Sequence, residues 1–180
     1  MSDTSPIAVI LAAGKGTRMN SDLPKVLHEA AGKTLLAWVL DALSDAGCHD
    51  QIVVIGYGGD IVRTHVGARP GVQFAVQQKQ QGTGDAVRAA APKLESLVAE
   101  GDQPRPVVIV CGDSPLLRSS SIRSLLESFE TTNAACLLGT AMTKDPSGLG
   151  RIVRGTDKQF LRITEEKDAT ETERLIREVN

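Results

Sequence analysis

The chain has 180 residues, of which 41% are hydrophobic and 23% charged, and its formal net charge is -2. This length suits one domain, and the composition is typical of a globular protein. A general nucleic-acid binder would more often be basic, and an aromatic content of 3% leaves few side chains for stacking on bases. No apolar run approaches the ~20 residues of a membrane-spanning helix. We therefore expect a protein that binds neither nucleic acid nor a membrane.

The three cysteines, Cys48, Cys111 and Cys136, show no CxxC spacing and lie in or beside apolar segments. An odd number without metal-ligand spacing favours reduced core thiols over a disulfide or a metal site. The first residues lack the basic and apolar pattern of a secretory signal. We expect a cytoplasmic protein, and a homo-oligomer is an open alternative to a monomer.

Apolar, β-rich runs alternate with helical patterns along most of the chain. Several runs are apolar at nearly every position, which is typical of parallel strands that are covered on both faces. The predicted strands are Ile7–Leu11, Gln51–Ile55, Val72–Val76, Val107–Cys111 and Ala134–Leu138. The predicted helices are Thr34–Ala46, Asp60–Val66, Gly84–Glu100 and Ser119–Glu130.

The pattern changes in the last part of the chain. Arg151–Arg154 and Gln159–Thr164 predict an antiparallel hairpin, and Glu171–Arg177 predicts a short helix. The alternation before them predicts an α/β fold: a three-layer α/β/α, Rossmann-like sheet that is mainly parallel, with right-handed crossovers. Ligands bind such a sheet at the carboxyl ends of its strands, so the loops found there are the expected walls of a site.

The loop after the first predicted strand is rich in glycine and in cations. It runs from Leu11 to Lys25 and reads LAAGKGTRMNSDLPK. Its small residues let the backbone approach a phosphate, and Lys15, Arg18 and Lys25 would neutralise the phosphate charge. The loop therefore predicts a nucleoside triphosphate as ligand. The alternative is a solvated loop whose cations only aid solubility.

Two familiar phosphate-binding motifs nearly fit this region, and both fail. A P-loop ending in Gly32-Lys33-Thr34 would need a glycine where the chain has Leu27. A dinucleotide fingerprint that begins at Gly14 would need its third glycine where the chain has Met19. We interpret Gly32-Lys33-Thr34 as a turn that opens the next helix.

Two more polar segments follow predicted strands. Gln77–Asp85 is rich in glutamine, whose amide both donates and accepts, as reading the imide edge of a pyrimidine requires. A polar loop with a Gly-Thr-Gly helix start explains the same residues equally well. Asp113 follows Cys111 closely and suits Mg²⁺, which normally takes one or two carboxylates plus water and phosphate oxygens. A turn or cap residue is the alternative.

A fourth segment runs from Gly148 to Ala169. Here Gly150 could admit close backbone contact with a ligand, and Glu165 could accept a hydrogen bond from a sugar hydroxyl. Charged residues on a hairpin more often form a solvated face, so the residues alone favour that interpretation.

These four segments, in this order, resemble the uridyltransferase domain of bacterial bifunctional N-acetylglucosamine-1-phosphate uridyltransferases, over nearly the whole chain. Leu11–His28 is similar to the opening signature of that family, which many sugar-nucleotide pyrophosphorylases share more loosely. Gln80–Gly84 and Glu165–Ala169 resemble the N-acetylglucosamine branch. The resemblance implies the nucleotide-diphospho-sugar transferase fold. It also implies transfer of UMP from UTP to N-acetylglucosamine-1-phosphate, with release of pyrophosphate and Mg²⁺ as cofactor.

The resemblance also implies roles for particular residues. Arg18 would stabilise the charge that develops between the α- and β-phosphates, Lys25 would bind the α-phosphate and the sugar phosphate, and Asp113 would hold Mg²⁺. The first loop and the glutamine-rich segment would bind the nucleotide, and three later residues would contact the sugar nucleotide. The implied substrate-binding residues are Leu11, Ala12, Ala13, Gly14, Gln77, Gln80, Gly82, Thr83, Gly150, Glu165 and Asn180.

Members of this family continue past the position of Asn180, and they usually carry a C-terminal β-helix of hexapeptide repeats that acetylates glucosamine-1-phosphate. We expect residues 1–180 to be the nucleotidyltransferase domain, incomplete at its C-terminal end relative to the family and without the acetyltransferase domain. Two alternatives stay open: another sugar-1-phosphate nucleotidyltransferase, and a nucleotide-binding module without turnover.

Replacing Arg18 tests the role of the first loop. Arg18→Ala should cost roughly 2.7–4 kcal/mol of transition-state stabilisation, by analogy with deletion of an oxyanion donor. The measurement is kcat for pyrophosphate release, with Lys144→Ala as a control that removes a cation outside the four segments. Near-normal turnover of Arg18→Ala would show that the role assigned to this residue is wrong.

Overall fold

The structure is a computed structural model that describes residues 4–16, 19–99 and 104–180. The chain divides into two compact units, Met1–Leu126 and Glu127–Asn180. The expectation of one domain over residues 1–180 stays a prediction.

The first unit contains a parallel sheet, a small hairpin and the first helices. Helix α4 (Ser119–Thr131) starts in this unit. The other elements of the unit are β1 (Ile7–Leu11), β2 (Glu29–Ala30), β3 (Lys33–Thr34), α1 (Leu35–Asp45), β4 (Asp50–Ile55), α2 (Gly59–Val66), β5 (Val72–Val76), α3 (Thr83–Ala99) and β6 (Val107–Cys111).

The main sheet has the order β5-β4-β1-β6, and all its neighbours are parallel. Val9 of β1 pairs with Ile52 on one side and with Ile109 on the other, so β1 is a central strand. Four of the five predicted strands form this sheet, with bounds that agree within one residue. The predicted α/β fold with a mainly parallel sheet is confirmed.

Each face of the sheet carries its own hydrophobic core. Ala8 and Ile10 belong to the core that includes the buried face of α1, whereas Ile7 and Val9 belong to the core that includes α3. All four residues are fully buried. Because side chains alternate between the faces of a strand, a strand covered on both faces must be apolar at every position.

The hairpin of β2 and β3 leads directly into α1. Ala31 and Gly32 connect its strands with positive φ angles of 53° and 75°. Thr34 then caps α1, since its hydroxyl accepts a hydrogen bond from the backbone N–H of Ala37 (3.2 Å). The interpretation of Gly32-Lys33-Thr34 as a turn that opens the helix is confirmed.

The predicted strand Ala134–Leu138 is wrong. The structure gives these residues no regular secondary structure, and Leu137 and Leu138 are exposed. A run of apolar residues predicts a strand only where a neighbouring strand supplies hydrogen bonds, and no described strand pairs with this segment.

The second unit contains an antiparallel sheet with the order β7-β10-β8-β9. The hairpin of β8 and β9 confirms the predicted antiparallel pair. Helix α5 is three residues shorter than predicted, because the chain after it turns into the sheet and forms β10. The elements are β7 (Ala141–Met142), β8 (Arg151–Arg154), β9 (Phe160–Thr164), α5 (Glu171–Arg174) and β10 (Glu178–Val179).

An ion pair lies inside the second unit. The guanidinium of Arg151 is buried and donates to Glu166 (2.6 Å), whose carboxylate also accepts from the backbone N–H of Gly148 (3.2 Å). The hydrogen bond from Arg151, and then that from Gly148, hold the pKa of Glu166 below its ordinary value. This pair fixes the segment before β8 against the segment after β9.

None of the helices in the described part of the chain combines the length and the apolar character needed to cross a bilayer.

Candidate active site

A cavity of about 290 Å³ lies at the carboxyl ends of β1, β5 and β6. This is the edge at which an open parallel sheet binds its ligands. Apart from Lys15, every described residue that the sequence places at the site within the first unit lines this cavity, together with four others. The lining residues are Leu11, Ala12, Ala13, Gly14, Gly16, Lys25, Val26, Gln77, Gln80, Gly82, Thr83, Ala86, Cys111 and Asp113.

The remaining predicted residues lie elsewhere. Arg18 lies outside the described residues, so its role stays a prediction. Gly150 and Asn180 are neighbours in the second unit, where the backbone N–H of Asn180 donates to the carbonyl of Gly150 (3.3 Å). Glu165 is exposed, and it precedes a single 3₁₀ turn, Glu166–Asp168. Contact of these three residues with a sugar nucleotide also stays a prediction.

The first loop is held against the sheet by its backbone. Ala12 and Ala13 are buried, and the N–H of Ala12 donates to the carbonyl of Val54 in β4 (2.9 Å). Gly16 has a φ of +65°, and a Cβ at this position would lie 2.6 Å from the Cβ of Lys25. The loop therefore returns on itself so closely that only glycine fits opposite Lys25.

Lys25 and Asp113 form an ion pair at the cavity. Lys25 begins a 3₁₀ turn whose next residues, Val26 and Leu27, are buried and so anchor its backbone. Asp113 follows Gly112, whose N–H donates to the carbonyl of Leu11 (2.9 Å). The Lys25 and Asp113 side chains are 43% and 28% exposed. Both charges can therefore reach a ligand that enters the cavity.

The three cations of the first loop have different surroundings. Lys25 lines the cavity, whereas the Nζ of Lys15 lies 5.0 Å from the centre of the Tyr57 ring, in a cation–π contact. Lys15 is exposed, and it is not among the lining residues. Of the described cations in this loop, Lys25 is the one placed to meet a bound phosphate.

The glutamine-rich segment is tied to the first loop and to itself. The amide nitrogen of Gln80 donates to the carbonyl of Ala13 (3.0 Å), across 67 positions of sequence. The amide nitrogen of Gln77 donates to the carbonyl of Gly82 (3.1 Å) and to the carboxylate of Asp85 (2.8 Å). Gln77 is buried, whereas Gln80 is exposed.

Cys111 lines the cavity and is exposed, as is Cys136, so of the three cysteines expected to be core thiols only Cys48 is buried. Desolvation at the cavity raises the pKa of the Cys111 thiol, the nearby Asp113 charge raises it further, and only Lys25 opposes these effects. A thiol with a raised pKa is less ionised at neutral pH, and the thiolate is the reactive form.

Sequence reasoning missed Val26, Ala86 and Cys111 as lining residues. Val26 and Ala86 are small or medium apolar residues without chemistry of their own. Val26 reaches the cavity because it is adjacent to Lys25, and Ala86 because it lies about one helical turn after Thr83. Cys111 carried a usable signal, since it is the last residue of a strand whose loop holds Asp113.

Asp113 alone cannot chelate a metal ion. Among the described residues, no group of three or more His, Cys, Asp or Glu side chains could hold one. A single accessible carboxylate nevertheless fits Mg²⁺, which commonly binds proteins through one or two carboxylates and takes its other ligands from water and substrate phosphates. The donor set thus suits an ion that arrives together with a phosphate ligand.

Comparison with known proteins identifies the class of domain. The MobA-like NTP transferase domain family matches residues 8–176. The chain belongs to this family. The membership confirms the predicted class of the domain, a nucleotidyltransferase.

Several bacterial proteins share much of this sequence. The chain is 44% identical over 173 residues to the bifunctional protein GlmU of Geobacter metallireducens, and 48% identical over 172 residues to that of Bordetella petrii. Each match covers 96% of this chain but only 35% and 36% of the relative. The chain therefore spans about a third of the length of these curated relatives, and the matched part is their N-terminal region.

Solved structures share the fold at lower identity. A putative glucose-1-phosphate thymidylyltransferase from Bacillus anthracis, in complex with a sucrose, has a TM-score of 0.71 and 19% identity, covering 97% of this chain and 68% of that one. HddC from Yersinia pseudotuberculosis, complexed with GMP-PN, has a TM-score of 0.67 and 21% identity, covering 90% and 69%. These likenesses confirm the predicted Rossmann-like fold of this chain.

A substitution at Gly16 tests its close approach to Lys25, and the same substitution at the nearby Gly14 serves for comparison. Gly16→Ala should lower the free energy of unfolding by roughly 1–2 kcal/mol through its left-handed backbone alone, and by more through the contact with Lys25. Gly14→Ala is the matched control, because its Cβ would meet nothing within 4 Å and its φ is not positive. The measurement is urea denaturation, and equal stability of the two variants would contradict the packing described here.

Proposed function

We propose that this chain transfers UMP from UTP to N-acetylglucosamine-1-phosphate, giving UDP-N-acetylglucosamine and pyrophosphate. The observation that carries the proposal is the cavity itself. It gathers the glycine-rich loop, a lysine, an aspartate and the glutamine-rich segment at one edge of the sheet, although they are separated by up to 102 positions (Leu11 to Asp113). Identity of 44–48% with the N-terminal region of GlmU relatives supports the choice of reaction.

The reaction needs no protein nucleophile. A phosphate oxygen of the sugar phosphate attacks the α-phosphorus of UTP, and the bond to the oxygen that bridges the α- and β-phosphates breaks. Pyrophosphate leaves with that bonding electron pair. The protein contributes by positioning both substrates and by stabilising charge, as in phosphoryl transfer generally.

Among the described residues that line the cavity, Lys25 supplies the positive charge. Its Nζ can bind the α-phosphate and the incoming sugar phosphate, which brings two like-charged groups together. The backbone of Ala12, Ala13 and Gly14 supplies close approach to the triphosphate, because no bulky side chain stands between the loop and the cavity. Gln77, Gln80, Gly82 and Thr83 line the part of the cavity that would receive uracil and ribose.

Asp113 would hold Mg²⁺, which supplies neutralisation of the phosphate charge when bound. A cation that binds this carboxylate is repelled by Lys25, its partner in the structure. The arriving phosphates offer Lys25 a replacement partner of the same sign. Nucleotide and cation can therefore replace the ion pair together without leaving a charge unpaired.

The ion pair predicts a measurable effect on cation binding. Lys25→Met removes the charge that competes for Asp113 while keeping an unbranched apolar stem of similar length. In protein without nucleotide, Mn²⁺ should bind more tightly by up to about fivefold, since a partly exposed ion pair is worth roughly 0.2–1 kcal/mol. Electron paramagnetic resonance of free Mn²⁺ measures the affinity. Lys15→Met is the control, and an effect of equal size there would contradict the pairing.

The activity is tested by pyrophosphate release. The wild-type protein should release pyrophosphate from UTP when N-acetylglucosamine-1-phosphate and Mg²⁺ are present, and more slowly from other pairs in a panel of nucleoside triphosphates and sugar 1-phosphates. Asp113→Asn should lower kcat/KM about a hundredfold or more, as expected when an electrostatic contact to the reacting phosphates is lost.

The control for Asp113→Asn is Glu127→Gln, which removes one exposed carboxylate from α4. Preference for a different base or sugar would identify another sugar-1-phosphate nucleotidyltransferase. UTP binding in a calorimeter without any pyrophosphate release would identify a nucleotide-binding module instead.

A further inference from the structure

Gln77 is held by the protein in one orientation. It directly follows β5, is 6% exposed, and its backbone N–H donates to the carbonyl of Ile55 (2.8 Å). Its amide nitrogen donates to the carbonyl of Gly82 and to the carboxylate of Asp85. The side chain is therefore bonded to the start of the helix that follows it in the chain.

The two partners of the Gln77 amide show which of its two ends is the nitrogen and which is the oxygen. A backbone carbonyl can only accept hydrogen bonds, and so can a carboxylate. If the amide were rotated by half a turn, its oxygen would face two acceptors, which is unfavourable at both contacts. The bond to Asp85 is the stronger of the two, because its acceptor is charged.

This arrangement uses both hydrogens of the amide nitrogen. The carbonyl oxygen is the polar atom of the side chain that remains, and no hydrogen bond reaches it from the residues that the structure describes. Gln77 lines the cavity. The sequence suggests a glutamine that donates and accepts, whereas the structure leaves Gln77 only an acceptor for a ligand.

We propose that Asp85 is a positioning residue for base selectivity: by binding the amide nitrogen of Gln77, it leaves an acceptor that takes the N3–H of uracil and rejects cytosine. Uracil carries a hydrogen on N3, whereas N3 of cytosine is an acceptor, so cytosine would place two acceptors against each other. The inference rests on the proposed function, since it deepens the assignment of this cavity to UTP.

Asp85 does this without touching the base. It lies in the first turn of α3, and its side chain is half-buried beside Gln77. An asparagine of the same shape has an NH₂ group that can donate to the Gln77 oxygen. That exchange removes one of the two acceptors that oppose the rotated amide, so only the carbonyl of Gly82 still disfavours the orientation in which the nitrogen faces the base and suits N3 of cytosine.

The experiment measures dissociation constants for UTP and CTP by calorimetry, in the presence of Mg²⁺, for the wild type and three variants. The wild type should prefer UTP. Asp85→Asn should lower the ratio of the CTP to the UTP dissociation constant by about tenfold, the equivalent of one discriminating hydrogen bond. Asp85→Glu keeps an acceptor and should retain the wild-type preference. Glu95→Gln, an exposed carboxylate farther along α3, is the control for charge.

The outcomes separate this inference from the proposed function. A wild type that binds neither nucleotide overturns both, and one that binds UTP and CTP equally overturns the role of the fixed acceptor. If the wild type prefers UTP but Asp85→Asn keeps the same ratio, the inference alone is overturned, whether or not both affinities fall together. Thermal denaturation of each variant shows whether it is folded, and the ratio is insensitive to a uniform loss of folded protein.

Discussion

Complete burial of β1 on both faces is the constraint on which the rest of the structure depends. Ile7, Ala8, Val9 and Ile10 each have no exposed surface, and the strand is hydrogen-bonded to β4 and β6. Fully burying a side chain of this size contributes about 1.5–3 kcal/mol, so any shift of register would move several such side chains out of their cores. The point at which β1 ends is therefore fixed.

The end of β1 positions the loops at that edge of the sheet. The carbonyl of Leu11 accepts from Gly112, and the carbonyl of Ala13 accepts from Gln80 and from the backbone of Tyr57. Three loops that are distant in sequence thus bond to two carbonyls at the end of one strand. Backbone bonds hold the loops of Gly112 and Tyr57, whereas the side-chain amide of Gln80 holds the glutamine-rich segment.

The parallel sheet could be predicted from the sequence because buried parallel strands have a simple, mostly apolar pattern. Strand β1 is apolar at every position and β4 is apolar from Ile52 to Ile55, and each is bounded by polar or glycine-containing loops. The segment Ala134–Leu138 shows the limit of that signal, since its residues have the same character but no described strand beside them. Local composition records how apolar a segment is, whereas a strand also requires a partner that lies far away in sequence.

The position of the candidate site was equally predictable, but the hydrogen-bonding state of its side chains was not. Lys25, Asp113, Gln77 and Thr83 line one cavity because they follow, or lie near, strand ends that the topology brings together. The side-chain nitrogen of Gln77 is bonded to Gly82 and to Asp85, which lies eight positions away on a helix. Identifying these bonds requires coordinates, because the amino-acid types alone allow the amide to face either way.

The Lys25–Asp113 pair has a thermodynamic consequence for any ligand of this cavity. In the structure each charge is balanced by the other, so a cation that binds alone is repelled by Lys25 and an anionic phosphate that binds alone is repelled by Asp113. When both ligands bind, each takes over one half of the pair, so the cost that each would bear alone is shared. Coupling of this kind is reciprocal, because a nucleotide that raises the affinity for the cation must have its own affinity raised by the same factor. The ion pair therefore favours joint occupancy by nucleotide and cation over occupancy by either one.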